Sequence, residues 1–289
     1  MIIHKGVALG NDYLVVDRAE LPWSLTPARC AAICDRNTGV GSDGILIGDT
    51  AGGRFGLRIL NPDGSEAEKS GNGLRIFGAY LHGRSLVTGG WFTVTLVKDE
   101  VRMRVERTLA DGSLMIRVEM GYASFRGEDA GFLPVAEEVL DYGLDLGDDA
   151  GRAAINTVSL ANPHCVVFVG ELVREDFLRR APRLCRHPAF RAGTNVQFVR
   201  VAGPAALEVW IWERGVGETL ASGSSACAAA AAAVRRGLLR PGSFEVRMRG
   251  GSADVEISDT HSVRLRGPAR MVFAAHIDAA QLAAWASLD

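Results

Sequence analysis

Two stretches of this chain, 152 residues apart, repeat one design: an extended apolar segment, a polar glycine-rich turn, a Ser-Gly pair, then a helical pattern. The first is Asn61-Pro62-Asp63-Gly64-Ser65-Glu66-Ala67-Glu68-Lys69-Ser70-Gly71. The second is Glu213-Arg214-Gly215-Val216-Gly217-Glu218-Thr219-Leu220-Ala221-Ser222-Gly223. At that offset Glu66 aligns with Glu218, Ser70 with Ser222 and Gly71 with Gly223. Such a chain reads as two similar halves, each opening one helix on Ser-Gly. Serine is also a common helix N-cap, so two unrelated caps fit the same residues.

The rest of the pattern sets the fold class. Segments 13–17, 44–47, 55–60, 91–97 and 101–106 are β-rich and bounded by Gly, Asp and Asn. The second half repeats the style at 154–158, 165–169, 194–200, 207–212 and 244–248, with 255–258 and 262–265 as a hairpin. Helical patterns are clearest at 74–82 and 226–236 and weaker at 26–34, 174–180 and 279–287. Many strands around a few helices predict an α+β fold. The Gly/Asp/Glu-rich stretch 122–129 reads as the linker. The expected domains are 1–124 plus 268–289, the tail returning to the first half, and 125–267.

Composition narrows the functional classes. A net charge of -2 argues against nucleic acid or an anionic membrane as partner. Five cysteines, an odd number in a long chain, argue against a disulfide framework and for a reducing, cytoplasmic setting. Cys30 and Cys34 have no matching Cys/His pair, so no metal site is expected. The N-terminus has no apolar core followed by a cleavage site, so it does not read as a signal peptide. The longest apolar run, 226–234, is too short to cross a bilayer. Its alanines suit tight helix packing, and Cys165 and Cys227 read as small core residues.

The chemistry sits at the two helix starts. A helix N-terminus carries unpaired N–H groups and a positive dipole end, so it receives carboxylates well. Gly71-Asn72-Gly73 and Gly223-Ser224-Ser225 would bring bare backbone close to such an anion. Two of these facing each other would grip one small molecule and reach opposite faces of one carbon. A two-base stereoinversion at an α-carbon needs that arrangement.

N-P-D-G-S-E-x-E-x-S-G-N-G and E-R-G-x-G-E-T-L-A-S-G-S resemble the paired signatures of the diaminopimelate epimerase family. So do G-x-A-L-G-N-D-Y from Gly6, D-R-N-T-G-V-G-S-D-G from Asp35, A-N-P-H from Ala161 and G-T-N-V-Q-F from Gly193. These six blocks fall in the family's order and span nearly the whole chain. The resemblance implies two pseudo-symmetric β-rich domains, each a mixed or antiparallel sheet around a central helix. It implies cofactor-independent inversion of an amino-acid α-carbon, with diaminopimelate as default substrate, and a homodimer. In usual members a cysteine precedes each helix start; those positions are Ser70 and Ser222 here. His164 and Glu213 match residues that tune the catalytic pair. Asn11, Asn61, Gly71, Asn72, Asn162, Asn195, Arg214, Gly223 and Ser224 match substrate contacts.

Departures and plainer roles stand beside these assignments. A thiol near pKa ~8.5 is drawn toward neutrality at a helix start, whereas a serine hydroxyl titrates well above the ~10 of tyrosine and must borrow a base. His164 and Glu213 are the candidates. Ala161 replaces the family's usual Gly, and Gly44 stands where some members place Gln. Ser70 and Ser222 also suit plain N-caps, His164 a satisfied structural role, Glu213 and Arg214 a surface ion pair, and the asparagines turns. Serine at both thiol positions leaves two other functions open: a sibling isomerase or lyase acting on another small acid, and a binding homologue without turnover.

Overall fold

In the computed structural model, which describes residues 1–147 and 150–288, both Ser-Gly pairs open helices that are almost wholly enclosed. Among the described residues the α-helices are α1 (Pro27–Cys34), α2 (Gly71–Gly83), α3 (Arg174–Cys185), α4 (Gly223–Arg235) and α5 (Ala279–Ala286). α2 is buried from Gly71 through Leu81 and α4 from Gly223 through Val234. A helix this apolar on every side needs a sheet wrapped around it. The chain supplies two such wrappings, in two units: Met1–Val118 with Gly267–Asp289, and Glu119–Arg266. The expected domains also take in residues 148, 149 and 289, which lie outside the described residues. The α+β class holds for both units.

In the first unit, Ile2–Ala8 pairs antiparallel with Asn11–Asp17, which runs parallel to Ile45–Asp49. Phe55–Leu60 follows antiparallel, Phe92–Thr95 parallel, and Glu100–Thr108 antiparallel. α1 and α5 pack on the outer face over Ile3, Leu14, Val16 and Ile45. Arg29 ties them: its guanidinium donates to the carbonyls of Ser24, Trp285 and Ala286 at 2.8 to 3.1 Å. Asp278 caps α5 by accepting from the Gln281 N–H at 2.8 Å. The tail thus returns to the first unit.

The second unit repeats the order. Arg152–Ser159 pairs antiparallel with Pro163–Phe168, then Asn195–Gly203 parallel, Ala206–Glu213 antiparallel, Gly242–Met248 parallel and Gly251–Ile257 antiparallel. α3 covers its outer face, with Phe177 between Phe198, Trp210 and Trp212.

The 152-residue offset extends to register. Leu14 opposite Ile45 becomes Val166 opposite Gln197, and Phe55 opposite Val94 becomes Leu207 opposite Val246. Ile59 opposite Ala67 becomes Ile211 opposite Thr219. The first reading of the twin segments, two similar halves, therefore prevails over two unrelated caps. The sequence pattern missed Ile2–Ala8 and Leu114–Tyr122, and it stopped Ser262–His276 at residue 265.

Candidate active site

Ser70 and Ser222 have extended backbone, at φ -134°, ψ 116° and φ -145°, ψ 125°. Each hydroxyl oxygen accepts from the backbone N–H three residues on: Gly73 at 3.1 Å and Ser225 at 3.5 Å. Both are N-caps, so that plain role is real in each unit. It does not exhaust them, because the Ser70 hydroxyl also meets a tyrosine outside its helix and the Ser222 hydroxyl a second serine within its own.

In the first unit the Tyr13 hydroxyl lies 3.4 Å from Ser70 Oγ. Asn72, buried at the second position of α2, donates to Asn11 Oδ1 at 3.3 Å and accepts from Arg75 at 2.6 Å. Asn11 donates in turn to Asp43 at 2.5 Å. Arg36 bridges Asp43 and Asp12, and Lys5 joins Asp12 at 2.8 Å. The Arg36 and Lys5 cations hold the Asp12 carboxyl below the usual carboxylate range, although its burial pulls the other way. Ser70, Gly71, Asn72 and Asn11 thus gather at one end of α2. Asn61 does something different: it closes the 61–65 turn and donates to Ser65 Oγ at 2.9 Å. Gly44 leaves no room for a side chain, since a Cβ there would lie 2.5 Å from the Leu60 carbonyl oxygen and 2.8 Å from the Tyr13 ring.

In the second unit Ser222, Ser224, Asn162 and His164 form one chain of contacts. Ser222 Oγ and Ser224 Oγ are 3.5 Å apart, and Asn162 Nδ2 donates to Ser224 Oγ at 3.5 Å. His164 Nε2 lies 3.0 Å from Asn162 Oδ1. His164 is completely buried on Pro163–Phe168, and its pKa falls to about 3, through burial first and then the Arg214 charge. The ring is therefore neutral at physiological pH. Asn195 donates to the Pro163 carbonyl at 3.1 Å and accepts from the Arg214 backbone N–H at 2.9 Å. The Arg214 guanidinium donates to the Ala192 carbonyl at 3.2 Å. Glu213, half-buried, closes the Ala206–Glu213 strand immediately before it.

Gln197, Ser225 and Tyr13 escaped the residue-level reading. Gln197 Nε2 lies 3.0 Å from His164 Nδ1 and 2.9 Å from Ser225 Oγ. A signal existed: a glutamine in the apolar run Val196-Gln197-Phe198-Val199 has to find partners wherever the strand is buried. All five cysteines are buried, and burial pushes the Cys30 thiol up to about 11 and raises Cys165 further. They are poor substitutes for activated thiols. Among the described residues no cluster of three or more His, Cys, Asp or Glu could hold a metal ion. Among the same residues no helix is long and apolar enough to cross a membrane.

A sequence model described as diaminopimelate epimerase matches residues 3–126 and 156–272. Diaminopimelate epimerase 2 of Nostoc sp. (strain PCC 7120 / SAG 25.82 / UTEX 2576) is 41% identical over 267 residues, covering 92% of this chain and 91% of its own. Diaminopimelate epimerase of Synechococcus sp. (strain JA-3-3Ab) is 37% identical over 284 residues, covering 93% and 95%. A probable proline racemase from Agrobacterium radiobacter K84 shares the fold at a TM-score of 0.70 and 16% identity, covering 96% of this chain and 93% of its own.

Proposed function

The chain belongs to the diaminopimelate epimerase family, and from that premise we propose that it interconverts LL- and meso-diaminopimelate by two-base proton transfer. It is an isomerase of the epimerase type. The observation carrying the substrate and mechanism is the pairing of Ser70 and Ser222 as N-caps of two buried, equivalent helices. One group removes the α-proton and the other returns a proton to the opposite face. The positive end of each helix binds the substrate carboxylate and stabilises the charge that builds on it. Gly71 and Asn72 at one helix start, with Asn11, form the substrate contacts of the first unit; Gly223 and Ser224 at the other, with Asn162, Asn195 and Arg214, form those of the second. Asn61, a substrate contact by its motif, serves the set through the 61–65 turn that it closes.

Serine makes the acid–base step demanding. Neither hydroxyl ionises at neutral pH, so each needs a base when it takes a proton. The neutral His164 ring lies 3.0 Å from the Asn162 side chain, which suits orientation of the site more than proton abstraction. Glu213 is the better-placed carboxylate by type, ending its strand two residues past the buried Ile211. In this reading the enzyme acts in the cytoplasm as a homodimer, in lysine and peptidoglycan-precursor synthesis. The direct test is chromatographic separation of diaminopimelate isomers after incubation. Wild type is expected to convert either isomer into a mixture, and S70A and S222A each to stop conversion.

The double serine favours one second reading, a related isomerase or lyase acting on another small amino or hydroxy acid. A panel of such acids scored for racemisation and for loss of water separates the two. A dehydrated product with inert diaminopimelate would select the second.

A further inference from the structure

Gln197 sits completely buried in the apolar strand Asn195–Gly203. Its amide nitrogen carries two hydrogens and has two partners, His164 Nδ1 at 3.0 Å and Ser225 Oγ at 2.9 Å. Its Oε1 is buried and meets no protein hydrogen-bond partner among the described residues. Turning the amide over would bury both N–H donors where the oxygen now lies. Orphaned N–H groups are the rarer and costlier case, so the nitrogen stays toward His164.

That orientation dictates a tautomer. Because His164 Nδ1 accepts from Gln197, the single proton of the neutral ring is on Nε2, 3.0 Å from Asn162 Oδ1. Asn162 then keeps its carbonyl oxygen on the ring and its Nδ2 toward Ser224, at the start of α4. The opposite tautomer would offer Asn162 a bare nitrogen. The Asn162 amide would turn over and place an oxygen at the helix start, where an anion is to bind. We propose that Gln197 is a positioning residue which, through the tautomer of His164, holds the donor end of Asn162 at the substrate-binding helix tip. The proposal rests on the epimerase reading for the identity of that anion, a substrate carboxylate.

The test is long-range 1H–15N NMR of the His164 ring in the ligand-free protein at neutral pH, together with α-deuterium exchange in heavy water. Wild type is expected to show Nε2 protonated and Nδ1 bare. Q197E, which sets a carboxylate against Nδ1, is expected to move the proton to Nδ1. Q197M is expected to give mixed tautomers and to lower kcat/KM for exchange by about tenfold. A wild-type ring protonated on Nδ1 overturns the proposal, and that spectrum needs no substituted protein. So does a Q197M protein that keeps the wild-type tautomer, or one whose tautomers mix while exchange is unchanged. Wild type with the Nε2–H ring but no exchange overturns the epimerase reading instead, and with it the carboxylate as the ligand of Asn162.

Discussion

Ser70 and Ser222, 152 residues apart, stand in the same backbone conformation at the same point of equivalent helices, each accepting a hydrogen bond from the N–H three residues on. The family's usual thiols would occupy these two caps. A thiol there would feel the helix dipole and lose its proton more readily, which the present hydroxyls cannot do. S70C/S222C is therefore expected to raise the rate of diaminopimelate interconversion by roughly 10²-fold or more. A double variant no faster than wild type would show that the scaffold has adapted to serine.

The same caps hold the helices. S70A removes the 3.1 Å bond to the Gly73 N–H and is expected to cost about 1 kcal/mol. S222A, with its bond at 3.5 Å, is expected to cost less. Urea midpoints of the two variants give the order directly, and an equal or reversed order contradicts it.

How much of this was legible in the sequence divides by the range of the interactions. The twin Ser-Gly segments exposed the repeat because a helix start depends on a few neighbouring residues. Ile2–Ala8 escaped because His4, Lys5 and Gly6 interrupt its apolar residues, and its edges are satisfied by Asn11–Asp17 on one side and the distant Ser262–His276 on the other. Tyr13 and Gln197 lay inside quoted motifs, but their partners Ser70 and His164 are 57 and 33 residues away, and no local period records such distances. Asn61 was assigned to the substrate by its motif, while its side chain here serves the turn.

Ala161 lies at φ 71°, in the left-handed region that glycine tolerates and alanine does not. A161G, restoring the residue the family usually carries, is expected to stabilise the protein by roughly 1 kcal/mol, the strain relieved outweighing the entropy added to the unfolded chain. A lower urea midpoint for A161G would contradict this.

The buried His164 predicts a pH dependence. Its folded pKa, about 3, lies below the ordinary 6.5, so between those values the unfolded chain binds a proton that the folded one does not. Its contribution to stability is complete above pH 6.5 and is lost as the pH falls, at roughly 1.4 kcal/mol per pH unit. Unfolding free energies measured from pH 7 to 5 should fall more steeply for wild type than for H164Q. Equal slopes would place the charge change elsewhere.

Trp285 is 4% exposed on α5, and Arg29 fixes the backbone around it. W285A is expected to cost roughly 3 kcal/mol, read as a lower denaturant midpoint. A loss below about 1 kcal/mol would mean that the returning tail adds little to the first unit.

Proton exchange at the α-carbon is what the proposed epimerisation requires. The most direct measurement is NMR detection of deuterium entering the α-position of LL- and meso-diaminopimelate in heavy water with wild-type protein. Deuterium at Cα is expected, accompanying interconversion of the isomers. Substrate recovered from either isomer with its α-proton intact, under conditions where the protein is folded, would contradict it.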